Sequence, residues 1–590
     1  MSVFKTVTHN VDFCVIGGGL SGMIAAISAA RKGIKVALMG DRPVLGGNCS
    51  SEIRMWICGG AQRGDNNRET GIIEEITLES LNRNPTKNYT IWDTILYEKV
   101  RLEPNIKMIL NCSCLDATMD GDKIQDITGW QLTTQTYQKV TAKIFADCSG
   151  DSILAPLTGA EFMIGREAKS DFNETIPPDH ADKRTMGLSC LIQGKETNGP
   201  VEFVLPSWAE KFETCDLQPY RLPKEMVGQC RENFWYLELG GMQDTIGDTE
   251  EIRDKLLGIA LGMWDYVKRN VPNMENWELD WMGFLPGKRE SRRYVGEQVL
   301  TENDVLSQGK FDDIVAYGAW SMDDHHPGGF RSEEKPTIFH YAPSPYGIPY
   351  RVMYSKNIAN LMFAGRNIST THAALSSTRV MGTCSVIGQA VGTAASIAIR
   401  ENELPRDVYK NNLDELRQTL MLDDCYLPFT SYKTSELTKK AKIVSNSTDA
   451  ENLRNGKNRK IGDNDNGCFL DLGSSVQYDF DTEVDISKIR IVFDSDLNRE
   501  KDRDIDGKLN REVISNYPIN RAKAKTPSTI TKAYTIKALI DGVYQNIYTQ
   551  DNNYQRLAVI DCNVKTSSIK FVPTQTWGSE KAHIFCLDVF

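Results

Sequence analysis

The sequence predicts an α/β protein with an inserted α+β segment and a C-terminal all-β sandwich. Residues 11–30 form a buried strand, a glycine-rich turn and a helix of small residues. Two more buried strands, at residues 144–147 and 360–363, also end in small-residue turns. From about residue 432 the chain changes to short strands between clusters of Asp, Asn, Gly and Ser, which is typical of a β-sandwich.

The composition excludes several classes of protein. The 590 residues are 40% hydrophobic and 25% charged, as in a chain of several globular domains. A net charge of −11 disfavours a nucleic-acid partner, because such proteins present a basic face. The uncharged stretch Val380–Ile399 is too polar for a membrane span. The first residues resemble no secretory signal, which favours a cytoplasmic protein that handles small molecules. A homo-oligomer remains open.

The glycine-rich turn has the spacing Gly17-x-Gly19-x-x-Gly22 between the strand Val11–Ile16 and the helix that follows. Gly17 permits the tight turn, Gly19 lets the backbone approach a pyrophosphate, and Gly22 lets helix and strand pack closely. The phosphate then lies at the helix N-terminus, where free N–H groups favour an anion. With the second strand, Lys35–Met39, this is the pattern of a Rossmann-like dinucleotide-binding domain.

One position departs from that pattern. The acid that binds the adenosine ribose usually ends the second strand, and Gly40 stands there instead. Asp41 follows one residue later, with Arg42 beside it. We therefore expect Asp41 to replace the usual acid.

The chain then returns three times towards the same nucleotide, which favours FAD over NAD. The returning segments are residues 45–48, 144–151 and 360–366, and a long Ala/Gly-rich helix opens after residues 376–382. The N-terminus of that helix can hold negative charge on a reduced flavin ring. The predicted FAD-binding residues are Gly17, Gly19, Leu20, Ser21, Gly22, Asp41, Arg42, Gly46, Gly47, Asn48, Ser50, Cys114, Ser149, Gly150, Asp151, Gly365, Arg366, Val380 and Met381.

At these motifs the chain resembles the FAD-dependent oxidoreductases of the glutathione-reductase-like superfamily. More narrowly, it resembles the bacterial family related to the flavin subunit of heterodisulfide reductase. The resemblance covers about residues 10–400 and rests on the runs DRPVLGGNCSSEIRMWICGG, LPGKRESRRYVGE and AGRNISTTHAALSSTRVMGTC. It implies non-covalent FAD and a redox reaction, with a small-molecule substrate and an electron acceptor that it does not identify. Some relatives carry a four-iron cluster, but this chain lacks the clustered cysteines.

Four residues are candidates for the reaction itself. His372 lies between a cofactor strand and the long helix, where a neutral imidazole could exchange the proton that accompanies hydride transfer. Arg289 could bind a carboxylate or phosphate, and Arg379 could neutralise flavin or substrate charge. Cys49 stands near the place where disulfide reductases keep a redox thiol, without a partner four or five residues later. The structural alternatives are a buried histidine, a solvated charge run, a salt bridge and a small packing residue, respectively.

No metal site is predicted, because the sequence has no CxxC pair and adjacent side chains rarely share one ion. His325 and His326, which follow two aspartates, therefore indicate a general base or a surface loop.

The expected domains are an FAD-binding domain at residues 1–160 and 346–425, an inserted substrate domain at 161–345, and a sandwich at 430–590. The sandwich faintly resembles galactose-binding-like modules, and Trp577 could stack on a sugar or fill the core. The leading hypothesis is hydride transfer between flavin N5 and a small polar or anionic substrate, sugar-derived or not. The alternatives are a carbohydrate-binding or scaffold protein with structural FAD, and a thiol–disulfide flavoenzyme that uses Cys49.

Overall fold

The computed structural model describes residues 3–221, 233–499, 513–514, 516–521 and 523–590. The chain divides into two compact units. Unit 1 comprises Met1–Gly59, Thr86–Leu416 and Arg511–Ala522, and unit 2 comprises Gly60–Pro85, Arg417–Asn510 and Lys523–Phe590. Much of the predicted charged loop at residues 494–525 lies outside the described residues.

The α-helices, in chain order, are α1 (Leu20–Ala30), α2 (Ile72–Arg83), α3 (Tyr89–Arg101), α4 (Leu154–Thr158), α5 (Lys169–Phe172), α6 (Thr249–Asn270), α7 (Glu302–Leu306), α8 (His372–Thr378), α9 (Met381–Glu401), α10 (Pro405–Asn411), α11 (Leu413–Leu422) and α12 (Glu436–Lys440).

The strands are β1 (Thr6–Asn10), β2 (Phe13–Ile16), β3 (Val36–Met39), β4 (Ile106–Ile109), β5 (Cys112–Asp120), β6 (Lys123–Gln131), β7 (Thr136–Thr141), β8 (Ile144–Asp147), β9 (Phe162–Met163), β10 (Leu188–Ser189), β11 (Ile192–Glu196), β12 (Glu238–Leu239), β13 (Trp277–Met282), β14 (Gly287–Lys288), β15 (Arg293–Tyr294), β16 (Ile314–Gly318), β17 (Met322–His325), β18 (Thr337–His340), β19 (Tyr346–Pro349), β20 (Leu361–Phe363), β21 (Lys442–Ser445), β22 (Cys468–Asp471), β23 (Val476–Phe493), β24 (Thr531–Ile540), β25 (Val543–Gln550), β26 (Leu557–Thr576) and β27 (Lys581–Val589).

A parallel five-stranded sheet forms the centre of unit 1, in the order β20-β8-β2-β3-β4. Strands β2, β3, β8 and β20 are buried along their whole length, as expected for a parallel sheet covered on both faces. The prediction of an α/β fold is confirmed, and the two predicted returning strands join this sheet, β8 beside β2 and β20 beside β8.

Helices α1 and α9 pack against each other through small residues. A Cβ on Gly388 would lie 2.2 Å from the Ser21 carbonyl oxygen, and one on Gly392 would lie 2.1 Å from that of Ala25. This backbone approach requires glycine at both positions of α9. By length and composition α9 is apolar enough to cross a membrane, but in the structure its apolar stretch is fully buried.

A second sheet in unit 1 has the order β1-β7-β6-β5. Its strands β5, β6 and β7 lie between β4 and β8 in the chain, and β1, which precedes β2, pairs with β7. The residues after α4 form small antiparallel sheets: β12-β10-β14, β11-β13, β15-β9, β16-β19 and β17-β18. Helix α6 contributes Trp264 and neighbouring apolar residues to their core. These residues belong to the same unit as the parallel sheet, so a separate substrate domain at 161–345 stays a prediction. Residues 222–232 lie outside the described residues.

The described residues of unit 2 form a sheet of seven strands in the order β22-β27-β23-β26-β24-β25, with β21 paired to β23. Strands β23 and β26 are long and change register along their length, so each pairs with different neighbours at its two ends. Tyr478, Phe493, Tyr534 and Phe571 lie in the core between them. The all-β prediction is confirmed for this region, although the sequence did not predict β25.

Helix α2 belongs to unit 2 although it is encoded far upstream of the strands. Its Leu78 and Leu81 form a buried cluster with Ala524 and Ile530, against which Trp577 packs. The Trp577 indole Nε1 donates a 2.7 Å hydrogen bond to the Asn553 carbonyl oxygen. The sequence had assigned this stretch to the first domain, so residues 60–85 differ from the expected partition.

Candidate active site

A cavity of about 650 Å³ opens in unit 1 at the carboxyl ends of the parallel strands. Its lining includes Ile16 and Met39, which end β2 and β3, and residues that directly follow β8 and β20. In open α/β sheets this edge is where ligands bind. The first residues of α1 and α9 also line the cavity, so two helix N-termini face one space.

The three glycines of the first turn have different surroundings. Gly17 has φ +111°, and a Cβ there would lie 2.3 Å from the Cys148 carbonyl oxygen. A Cβ on Gly22 would lie 2.0 Å from the Gly17 carbonyl oxygen, so Gly22 packs against the turn and does not line the cavity. Gly19 lines the cavity, and a Cβ there would meet no atom within 4 Å. The cavity therefore borders Gly19 directly, along with Leu20 and Ser21.

The turn after β3 forms a second side of the cavity. Asp41 is exposed and lines it, as do Arg42, Gly46, Gly47 and Asn48. Among the described residues, the buried Nη1 of Arg42 has no hydrogen-bond partner. The Gly46 N–H donates to the Gly18 carbonyl oxygen at 2.8 Å, which fixes this turn against the first.

Cys49 and Ser50 lie behind that turn. Cys49 is fully buried, and its thiol donates to the Gly46 carbonyl oxygen at 3.1 Å. The Ser50 hydroxyl donates to the Gly47 carbonyl oxygen at 2.7 Å. Neither residue lines the cavity, so both support the turn from outside it. This position differs from the expected one for a redox thiol.

The turn after β8 brings a carboxylate between two cations. Asp151 Oδ2 accepts from Lys288 Nζ at 2.8 Å, and Oδ1 accepts from Arg366 Nη2 at 2.8 Å and from Ser291 Oγ at 2.8 Å. Burial raises the pKa of Asp151, but Arg366 and Lys288 outweigh it and hold that pKa well below its usual range. Ser149, Gly150, Gly365 and Cys114 line the cavity close by.

Arginines and aromatic rings form the wall contributed by the inserted segment. Arg289 donates through Nη1 to Ser189 Oγ at 2.9 Å and through Nη2 to the Trp235 carbonyl oxygen at 2.9 Å. Arg379 Nη2 donates to the Asp323 carbonyl oxygen at 3.0 Å. Its buried Nε has no hydrogen-bond partner in the described part of the chain. Trp235, Trp320 and Phe339, which the sequence reasoning did not select, line the same wall.

His372 is the first residue of α8 and lies outside the cavity lining. Its Nδ1 is 3.0 Å from Glu290 Oε1 and its Nε2 is 3.1 Å from Asp324 Oδ1. Burial lowers the pKa of His372, but the two carboxylates outweigh it and raise that pKa to about 10. The side chain is therefore a buried imidazolium at neutral pH, whereas the sequence predicted a neutral imidazole beside the flavin.

His325, on β17, does line the cavity. Its Nδ1 is 2.7 Å from Glu238 Oε2, and its ring packs edge-on against Trp235 at 5.4 Å between centroids. Asp324 and His325 are neighbours in the sequence, and the structure shows that His325 lines the cavity and Asp324 does not. The reason is that successive side chains alternate between the two faces of a strand. No group of metal-ligating side chains is found among the described residues.

The geometry fits a large anionic dinucleotide. Two helix N-termini face the cavity, and Gly19 leaves room for close backbone approach. Three buried arginine nitrogens have no hydrogen-bond partner in the described chain, namely Arg42 Nη1, which is 3.9 Å from Glu52, Arg366 Nε and Arg379 Nε. The sequence model of the family described as FAD dependent oxidoreductase matches residues 12–420. The chain belongs to that family.

The protein is thus an FAD-dependent oxidoreductase, and FAD is its cofactor. The family match covers unit 1 residues on both sides of the inserted segment. An oxidoreductase of this family needs a substrate and an electron acceptor. No curated protein matches the chain.

Solved structures similar to parts of this oxidoreductase fall into two groups. A geranylgeranyl bacteriochlorophyll reductase-like protein from Thermoplasma acidophilum is 12% identical, with 71% of this chain and 86% of that chain covered and a TM-score of 0.31. A family 32 carbohydrate-binding module from Streptococcus pneumoniae EndoD is 12% identical, with 26% and 99% covered and a TM-score of 0.20. A structure of SpGH29 is 12% identical, with 30% of this chain and 31% of that chain covered and a TM-score of 0.18.

Proposed function

We propose that this FAD-dependent oxidoreductase transfers a hydride between flavin N5 and a small anionic substrate, such as a hydroxy acid or sugar acid. The observation that carries the proposal is Arg379. Its side chain lines the cavity and is largely buried, yet Nε has no hydrogen-bond partner in the described chain. A buried guanidinium N–H without a partner is costly, and a carboxylate of the substrate would satisfy it.

Different parts of the cavity lining support different roles. The glycine turns, Asp41 and the N-termini of α1 and α9 would hold FAD, which when bound accepts or donates a hydride at N5. Arg289 and Arg379 would orient the substrate against the wall formed by Trp235, Trp320 and Phe339. Aromatic faces suit the apolar side of a sugar or a short carbon chain. The aromatic wall also limits the water around the reacting atoms.

The test is anaerobic bleaching of the bound flavin by matched pairs of compounds. Each sugar acid or hydroxy acid is compared with its neutral sugar or amide, so that only the charge differs. We expect bleaching by one or more of the acids and not by their neutral partners. In the Arg379→Gln variant we expect the concentration for half-maximal rate to rise by about 10- to 100-fold, because a charge-assisted hydrogen bond is lost.

Arg400→Gln is the matched control. Arg400 lies near the end of α9, is about half exposed, and pairs with Glu401 and Glu415. Its loss should leave the bleaching rate unchanged. Equal bleaching by charged and neutral members of a pair, or an unchanged Arg379→Gln variant, would contradict the proposal.

A further inference from the structure

His325 lies at the centre of five charged or titratable side chains on one wall of the cavity. Arg289 Nη1 is 3.4 Å from Glu238 Oε2, and that oxygen is 2.7 Å from His325 Nδ1. On the other side, His325 Nε2 is 3.5 Å from Asp323 Oδ2, which is 3.3 Å from Arg379 Nη2. The order is therefore cation, carboxylate, imidazole, carboxylate, cation.

Four members of this array line the cavity, and Glu238 lies behind them. Glu238 is 2% exposed, and its other oxygen accepts a 2.6 Å hydrogen bond from the Gly187 N–H. Burial raises the pKa of Glu238, but Arg289 and His325 outweigh it and hold that pKa below its usual range. An ionised Glu238 keeps a proton on His325 Nδ1, so Nε2 is the atom that gains or loses a proton.

The contact of Nε2 with Asp323 is long for a hydrogen bond, at 3.5 Å. Asp323 has other donors: Thr337 Oγ1, Trp320 Nε1 at 3.4 Å and Arg379. Burial raises the pKa of Asp323, but His325 and Arg379 outweigh burial and hold that pKa well below its usual range. Asp323 would keep Thr337, Trp320 and Arg379 as donors if Nε2 bound a substrate oxygen.

We propose that His325 exchanges the proton that accompanies hydride transfer, with Glu238 as the positioning residue for its ring. This inference rests on the proposed function. In the oxidation of a hydroxy acid, the carbon-bound hydrogen leaves with its electron pair to the flavin, the O–H bond breaks, and its proton goes to Nε2 as the carbonyl forms. Reduction runs the same exchange in reverse, with Nε2 as the donor.

His372 is a contrasting case in the same unit. Both of its ring nitrogens contact carboxylates, at 3.0 Å and 3.1 Å, and it lies outside the cavity lining. Of the two ring nitrogens of His325, Nδ1 has the short contact, 2.7 Å to Glu238, whereas Nε2 is 3.5 Å from Asp323, and the residue lines the cavity. The geometry therefore separates a structural histidine from one that can react.

The array also links the proton to the charge of the substrate. The groups that face His325 are Glu238, Asp323, Asp324, Arg289 and Arg379. Asp324 is already paired with His372. The two arginines balance Glu238 and Asp323, so protonation of His325 gives the array a net positive charge. An anion bound at Arg379 should favour that protonated form.

The first test compares His325→Gln with His326→Gln in the FAD-loaded enzyme. His326 lies outside the cavity lining, and its Nδ1 accepts from the Gly328 N–H at 3.1 Å. We expect His325→Gln to slow anaerobic flavin reduction by about 10²- to 10⁴-fold and to abolish the pH dependence attributable to one base. His326→Gln should keep the rate and the pH profile of the unmodified protein.

The second test needs no catalysis. The ring carbons of the histidines are labelled in the apoprotein, and their NMR signals are followed between about pH 5 and 8, with and without sodium sulfate. The signal that is absent from the spectrum of the His325→Gln variant is assigned to His325. We expect sulfate to change the position of that signal at a fixed pH, and Arg379→Gln to remove the change. A His325→Asn variant repeats both tests if His325→Gln does not fold.

The outcomes separate the two hypotheses. If no acid bleaches the flavin, the proposed function fails. If acids bleach it and both His325 variants keep the rate and pH profile, only the role of His325 is overturned. A His325 signal that ignores sulfate while Arg379 still governs the half-maximal concentration also overturns the link between proton and anion.

Discussion

Gly17 and Gly19 stand two residues apart in one motif but are constrained by different neighbours. Gly17 has φ +111° and no room for a side chain, because a Cβ would lie 2.3 Å from a carbonyl oxygen. Gly19 has φ −66°, which any residue adopts, and a Cβ there meets no protein atom within 4 Å. The protein chain restricts Gly17 but leaves space at Gly19, where we propose that bound FAD lies.

This difference predicts two distinct alanine phenotypes. Gly17→Ala should lower the free energy of unfolding of the apoprotein by about 1–3 kcal/mol and also reduce FAD binding, since it strains the turn. Gly19→Ala should leave the apoprotein stable and weaken FAD binding by tenfold or more. Denaturant unfolding of the apoprotein and flavin titration measure the two effects. Equal destabilisation of the apoprotein by both variants would refute this assignment.

At the scale of elements, His372 joins the start of α8 to β17. Its imidazolium contacts Asp324 on β17 and Glu290, which follows β14. Because its pKa rises from the usual 6.5 to about 10, this contact stabilises the fold fully below the unfolded pKa. The stabilisation is lost as pH rises from about 6.5 through about 10.

We therefore expect His372→Gln to destabilise the apoprotein most near neutral pH and least at alkaline pH. Thermal melting at a series of pH values measures this, as the difference between variant and unmodified protein. Taking that difference removes the contribution of other groups that titrate in the alkaline range, because both proteins contain them. His326→Gln, whose ring Nδ1 accepts from the Gly328 N–H at 3.1 Å, is the control. A constant destabilisation by His372→Gln would contradict the assignment.

At the scale of the whole molecule, unit 2 is built from two distant parts of the chain. Helix α2 packs Leu78 and Leu81 against Ala524 and Ile530, and Tyr554 Oη lies 3.2 Å from the Glu79 carboxylate. A chain that ends near residue 425 would therefore expose the apolar face of α2.

We expect such a truncated chain to be insoluble or readily cleaved within residues 60–85. Limited proteolysis and the soluble yield measure this outcome. Co-expression of residues 426–590 as a separate chain should restore protection, and this is the control for loss of the strands themselves. A truncated chain that stays soluble, protected and flavin-loaded would show that α2 does not need unit 2.

The extent of prediction from sequence follows from how local each feature is. The glycine turn, the parallel strands and the β-rich end were predicted, because each depends on side-chain spacing within a few residues. The assignment of residues 60–85 to unit 2 was not predicted, because the sequence of α2 does not indicate which distant residues it packs against. In the same way, Trp235 and Glu238 carry no local motif, and the folded chain brings both against His325.

The sequence by itself determined that this chain is a dinucleotide-binding α/β protein with an added β-rich region, and it identified most of the cavity lining around the glycine turns. The tertiary structure decided which candidates face that cavity. In the folded chain Cys49 and Ser50 lie behind their turn and outside the cavity. His372 lies between two carboxylates, and His325 lines the cavity. The physical reason is that backbone motifs are encoded by neighbours along the chain, whereas burial and charge depend on residues that only folding brings together.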